Sequence, residues 1–113
     1  MPFINVKTNT AVTKEQELSL KAKLGEAITT IPGKSESWLM VGIEPDYILY
    51  FQGKDDPCAM VDVDLLGTAS PAHLNALTGA VTKVITETLS IPAPRIYVKF
   101  TQRGEWGWNG ANL

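Results

Sequence analysis

The size and composition of the chain, 113 residues of which 44% are hydrophobic, predict one globular domain over residues 1–113 and exclude intrinsic disorder. The 10 basic and 12 acidic side chains give a formal net charge of −2, which leaves no broad basic surface for nucleic acid or for an anionic membrane. No apolar run is long enough to span a bilayer, so we also expect no membrane insertion.

The first half of the chain predicts a strand, a helix and a second strand. Residues 2–7 form a short β-rich run, and Thr13 followed by Gln16 fits a capping box at the start of a helix. Pro32-Gly33 ends that helix. Its apolar stripe consists of Leu20, Leu24, Ala27, Ile28 and Ile31. The run over residues 38–43 predicts a strand that is apolar on both faces. Residues 47–51 are compatible with a further short strand.

The second half of the chain repeats this plan. Residues 58–65 alternate between apolar and polar side chains, which predicts a strand with one buried face. Ser70 followed by Pro71 is an N-cap with proline in the first turn of a second helix. The apolar stripe of this helix consists of Leu74, Leu77, Val81, Val84, Ile85 and Leu89. A last strand is expected over residues 95–100, and the glycine-rich tail predicts at most a short edge strand.

This order of elements describes two βαβ units in tandem, offset by roughly 55 residues, with Pro2 and Pro57 as matching starts. Right-handed crossovers make the strands of each unit parallel and place both helices on one face of a shared sheet. We therefore expect an α/β (α+β) fold, a four-stranded mixed sheet with two helices on one face. Two helices cannot cover the opposite face, so we also predict a homo-oligomer.

Short motifs along the whole chain resemble those of a known family. They are Met1-Pro2, Gly33-Lys34, Pro45-Asp46, Pro57-Cys58-Ala59, Arg95-Ile-Tyr97 and Gly107-Trp108-Asn109. Their order and spacing are similar to those of macrophage migration inhibitory factor and D-dopachrome tautomerase, members of the tautomerase superfamily. The resemblance implies a symmetric homotrimer whose sheets face its interior, with active sites at the subunit boundaries. It also implies keto–enol tautomerisation of phenylpyruvate-like or dopachrome-like compounds.

Pro2 is the expected catalytic residue. Removal of the initiator methionine leaves a terminal secondary amine on a rigid ring, and a terminal amine ordinarily has a pKa near 8. Lowering the pKa by one unit requires roughly 1.4 kcal/mol, which burial and a nearby positive charge can supply. Such an amine can take a proton from the carbon next to a carbonyl group and return it elsewhere, without metal or cofactor.

Lys34 and Tyr97 are the expected polar contacts of the substrate. By the resemblance, Lys34 holds the carboxylate or enolate oxygen and helps to lower the pKa of the Pro2 amine. Tyr97 matches a tyrosine that the adjoining subunit supplies. From the sequence alone, Lys34 can equally be a solvated lysine after a helix, and Tyr97 a buried strand tyrosine with its hydroxyl hydrogen-bonded.

Lys99 stands where the family usually carries asparagine. Strand alternation places it on the same face as Tyr97, and we hypothesise that a second ammonium group lowers the pKa of the Pro2 amine further and favours anionic substrates. A lysine that points to water or pairs with an acid is the alternative. The resemblance assigns the wall of the binding pocket to Phe3, Trp38, Leu66 and Trp108. Aromatic residues are also common in ordinary cores.

The remaining chemistry-bearing residues predict little. Cys58 is the one cysteine, so no disulfide forms within the chain, and with His73 as the one histidine a structural zinc site is excluded. A solvated role is expected for Asp55, Asp56, Asp62 and Asp64. We predict a cofactor-free and metal-free tautomerase of small aryl keto acids; the alternative is a secreted signalling protein that binds a cell-surface receptor and has a vestigial pocket. No signal peptide opens the sequence, so the expected location is the cytoplasm, and any export uses another route.

Overall fold

A computed structural model describes all 113 residues, Met1–Leu113. The four main strands are β1 (Pro2–Thr8), β2 (Met40–Glu44), β3 (Ala59–Leu66) and β4 (Ile96–Arg103). The two helices are α1 (Lys14–Ala27) and α2 (Pro71–Leu89). A small hairpin near the carboxyl terminus consists of β5 (Gly107–Trp108) and β6 (Ala111–Asn112). The main elements follow the two predicted βαβ units.

The four main strands form one mixed sheet in the order β2-β1-β3-β4. β1 pairs with β2 in parallel and β3 pairs with β4 in parallel, whereas β1 and β3 are antiparallel at the centre. This arrangement relates the two βαβ units across the central pair of strands. The predicted fold class is thereby confirmed.

The core lies between the sheet and the two helices. Thr13 and Gln16 form the predicted capping box of α1, and Ser70 caps α2 through its side chain. Every residue of the predicted α1 stripe is buried, as are five of the six residues of the α2 stripe, because these positions lie on the faces that contact the sheet. In β1 and β3 buried and partly exposed residues alternate, so each strand turns one row of side chains toward the helices.

The other row of side chains covers a sheet face without helices, which we call the open face. The middle row of this face crosses all four strands in the order Gly42, Asn5, Asp62 and Lys99, because each of these residues pairs with the next. The open face is therefore polar along its middle. It lacks the continuous apolar surface of a dry interface.

The second strand begins later than predicted. Trp38 lies in a 3₁₀ turn, Glu36–Trp38, and β2 begins at Met40. The register pairs Met40 with Phe3, one residue after the start of β1. The parallel ladder therefore ends near the beginning of β1, and the backbone at Trp38 instead closes the turn with a bond from its N–H to the carbonyl of Ser35.

Two further segments differ from the expectation or add to it. Residues 47–51 form no strand, and the loop contains only an isolated bridge between Phe51 and Lys54. The tail, by contrast, forms the hairpin of β5 and β6, whose turn includes Asn109 and Gly110 at positive φ. Neither helix is both long and apolar enough to cross a membrane.

Candidate active site

Three residues of the expected site meet where β1 begins. Pro2 is buried and pairs with Leu65 near the end of β3. The next residue, Leu66, donates its N–H to the carbonyl of Met1 at 3.0 Å. The Nζ of Lys34 donates to the carbonyl of Leu66 at 2.8 Å. The structure thus brings the chain start, Lys34 and Leu66 together, although they are far apart in sequence.

This environment makes a terminal amine a stronger candidate for a base at neutral pH. The pKa of the Met1 amine is lowered from 8.0 to about 6, mainly because burial disfavours the charged form and further because of a hydrogen bond and the positive charge of Lys34. While Met1 is present, the nitrogen of Pro2 is an amide and cannot act as a base. Removal of Met1 makes it the terminal amine at the buried start of β1.

Trp38 and Trp108, two of the aromatic residues expected in the pocket wall, contact each other. The rings of Trp38 and Trp108 meet edge to face, with centroids 5.2 Å apart, and about half of each side chain is exposed. Trp38 comes four residues after Lys34, and the hairpin of β5 and β6 presents Trp108 to it. Phe3, next to Pro2, is partly exposed on the open face. The structure therefore joins the two tryptophans that the sequence placed in the pocket wall.

Tyr97 lies at the other end of the sheet. It pairs with Met60, which also pairs with Lys7, whereas Pro2 pairs with Leu65. Five residues along β3 correspond to about 16 Å. A single chain therefore does not bring Tyr97 to Pro2, and a tyrosine supplied by a neighbouring subunit stays a prediction.

Lys99 is held in an ion pair of its own chain. Its Nζ lies 3.1 Å from one carboxylate oxygen of Asp62, and the Nζ of Lys7 lies 3.7 Å from the other. The Asp62 side chain is only 19% exposed. The expectation of a freely solvated Asp62 is therefore wrong, because the register places the two lysines beside it on neighbouring strands.

The loop before β3 is organised by Arg95 and Asn9, whose roles here the sequence did not indicate. The guanidinium of Arg95 donates to the carbonyls of four loop residues: Phe51, Lys54, Asp56 and Pro57. The side-chain amide of Asn9 donates to the carbonyls of Leu49, Asp55 and Asp56 and accepts from the N–H of Cys58. These bonds involve backbone atoms, so no side-chain motif of the loop indicated them.

The same loop supports Tyr97. Arg95 lies over the ring of Phe51 at 5.2 Å, and the Phe51 ring also contacts the Tyr97 ring, with centroids 4.6 Å apart. An apolar cleft of about 430 Å³ opens beside these rings. Its lining is formed by Leu49, Tyr50, Phe51, Gln52, Cys58, Ala59, Met60 and Tyr97.

The start of β1 is not enclosed within one chain. Five clefts are present on the surface, and none of them is lined by Pro2 or Lys34. The largest, about 590 Å³, lies beside α1 and the outer edge of β2. One chain thus leaves the region around Pro2 and Lys34 without an enclosing cleft.

Comparison with known proteins assigns the chain to a family. The model of the macrophage migration inhibitory factor family matches residues 1–113. The macrophage migration inhibitory factor of Xenopus laevis is 26% identical over 115 residues, covering 100% of this chain and 99% of that protein.

Solved structures agree with this assignment. The crystal structure of Leishmania major MIF2 is 30% identical, with a TM-score of 0.93, over 100% of this chain and 97% of that one. A structure of Pt0534 inactivated by 2-oxo-3-pentynoate has the same fold, with a TM-score of 0.85 at 21% identity, over 96% of this chain and 93% of that one. Family model, sequence relatives and fold coincide over the whole chain. It belongs to the macrophage migration inhibitory factor family.

Proposed function

We propose that the chain, once Met1 is removed, is a cofactor-free tautomerase of small 2-oxo acids that carry an aryl group. The neutral amine of Pro2 takes a proton from the carbon next to the carbonyl group, and the electron pair of the broken C–H bond forms the enolate. The amine is now protonated, and it returns the proton to the enolate oxygen to give the enol. The reverse sequence converts the enol to the keto acid.

The observation that carries this proposal is the surroundings of the chain terminus. Burial and Lys34 lower the pKa of the Met1 amine to about 6, and the Pro2 amine of the processed protein would lie one residue further along the same buried strand, where the same two causes lower its pKa. Lys34 hydrogen-bonds the carbonyl of Leu66 and the terminal amine, and an ammonium group has three donors, so one remains for a substrate oxygen. A base and a cationic group that stabilises the enolate therefore lie side by side.

The aryl preference rests on the two half-exposed tryptophans, Trp38 and Trp108. Their edge-to-face contact leaves ring surface exposed for an aromatic substrate. The 2-oxo acid class is supported by the cationic Lys34, which can bind a carboxylate. Pt0534, which shares the fold, was inactivated by a 2-oxo acid, 2-oxo-3-pentynoate, and this reagent is the matching probe for the Pro2 amine.

A homotrimer completes the proposed site. A single chain leaves the region around Pro2 open, and it places Tyr97 on an exposed strand about 16 Å along the sheet. A neighbouring copy that brings its Tyr97 to this region would enclose the substrate. The proposal therefore includes active sites between subunits.

The test is turnover of phenylpyruvate by the purified protein, with intact-mass measurement to establish loss of Met1. We expect activity in the processed protein, and at least a hundredfold lower kcat/KM in Pro2→Gly, which keeps a terminal amine but loses the rigid secondary one. A variant with alanine inserted between Met1 and Pro2 is the matched control, because it keeps every side chain of the site. Unchanged activity in both variants would exclude Pro2 as the base.

A second candidate function is signalling, because the relatives bear the name of a factor that acts on macrophages. In this case the pocket is vestigial and a receptor on cells is the partner. A migration assay on macrophages with wild type and Pro2→Gly separates the candidates. A protein that inhibits migration and shows no turnover would favour signalling.

A further inference from the structure

The open face carries a charge cluster that the proposed chemistry does not use. Asp62 contacts Lys99 at 3.1 Å and Lys7 at 3.7 Å, each through a different carboxylate oxygen. Asp62 is the more buried partner, since 19% of its side chain is exposed against 64% for Lys99. The Asp62 carboxylate is therefore the more enclosed partner of the pair, and the Lys99 ammonium group is the more accessible one.

The two lysines are not equivalent in this cluster. Lys7 lies farther from the carboxylate and also lies over the ring of Tyr47, 5.7 Å from its centroid. Lys99 has Asp62 as its one ion-pair partner and makes the shorter contact. Asp62 therefore neutralises mainly the charge of Lys99.

Lys99 and Tyr97 are neighbours on the open face, because residues two apart in a strand lie on the same face, about 6.6 Å from each other. If a neighbouring site receives Tyr97, it also receives the charge at Lys99. The amount of that charge depends on whether Asp62 holds the ammonium group.

We propose that Asp62 is the counter-ion of Lys99 and so determines how strongly the site prefers anionic over neutral substrates. This inference rests on the proposed function, and it concerns specificity, with the base itself unchanged. Asp62 does not touch the substrate; it is a positioning residue that acts through Lys99. The other charged groups near the cluster and the site are Lys7, Lys34, Glu44, Asp64 and Arg103.

The test compares phenylpyruvate with its uncharged methyl ester in wild type, Asp62→Asn, Lys99→Gln and the double variant. We expect Asp62→Asn to lower the KM of the acid about twofold to fivefold, the range that a surface ion pair covers, and to leave the KM of the ester unchanged. Lys99→Gln should raise the KM of the acid by a similar factor, because Asp62 then repels the carboxylate. The KM of the acid in the double variant should lie within about twofold of the wild-type value.

Asp64→Asn is the matched control. It removes the same charge from the same strand and face, two residues closer to the start of β1, and Asp64 has no ion-pair partner. An unchanged KM of the acid in Asp62→Asn would overturn the proposal. An equal decrease of this KM in Asp64→Asn would also overturn it, because the decrease would then report only the net charge of the face. Lys99 is exposed, so its variant keeps the test open even if Asp62→Asn folds poorly.

A binding measurement separates this inference from the proposed function. The unreactive carboxylate 3-phenylpropanoate can be titrated into the same four variants and followed by NMR. The expected order of affinity is Asp62→Asn above wild type and the double variant, with Lys99→Gln lowest. If this order appears without any turnover, the charge pair is supported and the tautomerase proposal fails. Equal affinities in all four variants would refute the role of Asp62.

Discussion

The most informative perturbation of the site is Lys34→Met, because it separates two roles of one ammonium group. The first role is to keep the terminal amine neutral. An amine with the pKa of about 6 that the Met1 amine has at this place is about nine-tenths neutral at pH 7, and an amine with the ordinary value of 8.0 is about one-tenth neutral. Loss of the first role therefore lowers the rate at pH 7 by at most about tenfold. Because burial is the largest cause of the lowered pKa, the actual loss should be smaller.

The second role is to stabilise the enolate, and it does not depend on the protonation of the amine. A hydrogen bond from a charged donor contributes roughly 1.5–3 kcal/mol, which corresponds to about tenfold to a hundredfold in rate. This loss should remain at pH 9, where the amine of both proteins is mostly neutral. The measurement is kcat/KM for phenylpyruvate from pH 5 to pH 9 in wild type and variant.

We expect wild-type kcat/KM to rise with pH and to level off below pH 8, because the reactive form is the deprotonated Pro2 amine and the surroundings that lower the pKa of the Met1 amine to about 6 also surround Pro2. In Lys34→Met the midpoint of this pH profile should move upward by less than two pH units, and the plateau value of kcat/KM should fall. Lys83→Met is the control, since Lys83 is a 75% exposed lysine on α2. An unchanged midpoint with an equal loss at every pH would refute the proposed effect of Lys34 on the amine.

Three further predictions concern the loop before β3, the two helices and the tryptophan pair. Arg95→Lys should lower the free energy of unfolding by about 1–3 kcal/mol in urea titrations, because lysine cannot reach all four loop carbonyls. Gly79→Ala should stabilise α2 by about 0.5–1 kcal/mol in the same assay, because the added Cβ meets open space. Gly25→Ala in α1 should show no such gain, because its Cβ would displace the side chain of Glu36. Trp108→Leu should raise the KM of phenylpyruvate several-fold and change the near-ultraviolet circular dichroism of Trp38, its edge-to-face partner.

The fold was largely predictable from local patterns. The caps at Thr13 and Ser70 and the two apolar stripes specify the helices, and alternation specifies β3. Short-range patterns do not contain the strand register, however. The start of β2 at Met40 depends on where β1 begins, and this long-range fact made the prediction for Trp38 wrong.

Two residues of the predicted site lie close together, whereas other contacts of the predicted residues could not be foreseen. The motifs identified Pro2 and Lys34, and the structure brings both to the end of β3. Pairing of Lys99 with an acid was one of the predicted alternatives, but the sequence did not identify Asp62 as the partner, because this requires the register of two parallel strands. The role of Arg95 was also hidden, since its partners are carbonyl groups that every residue possesses.

The hydrogen bonds from Arg95 and Asn9 to the loop before β3 limit how the sequence of this loop can change in evolution. Both side chains bind main-chain oxygens, so the identity of residues 52–56 matters little to the seven hydrogen bonds that they donate. The number of residues matters greatly, because one insertion would move each oxygen away from its donor. Relatives with the same pair of donor residues should therefore vary in the amino-acid sequence of this loop while conserving its length.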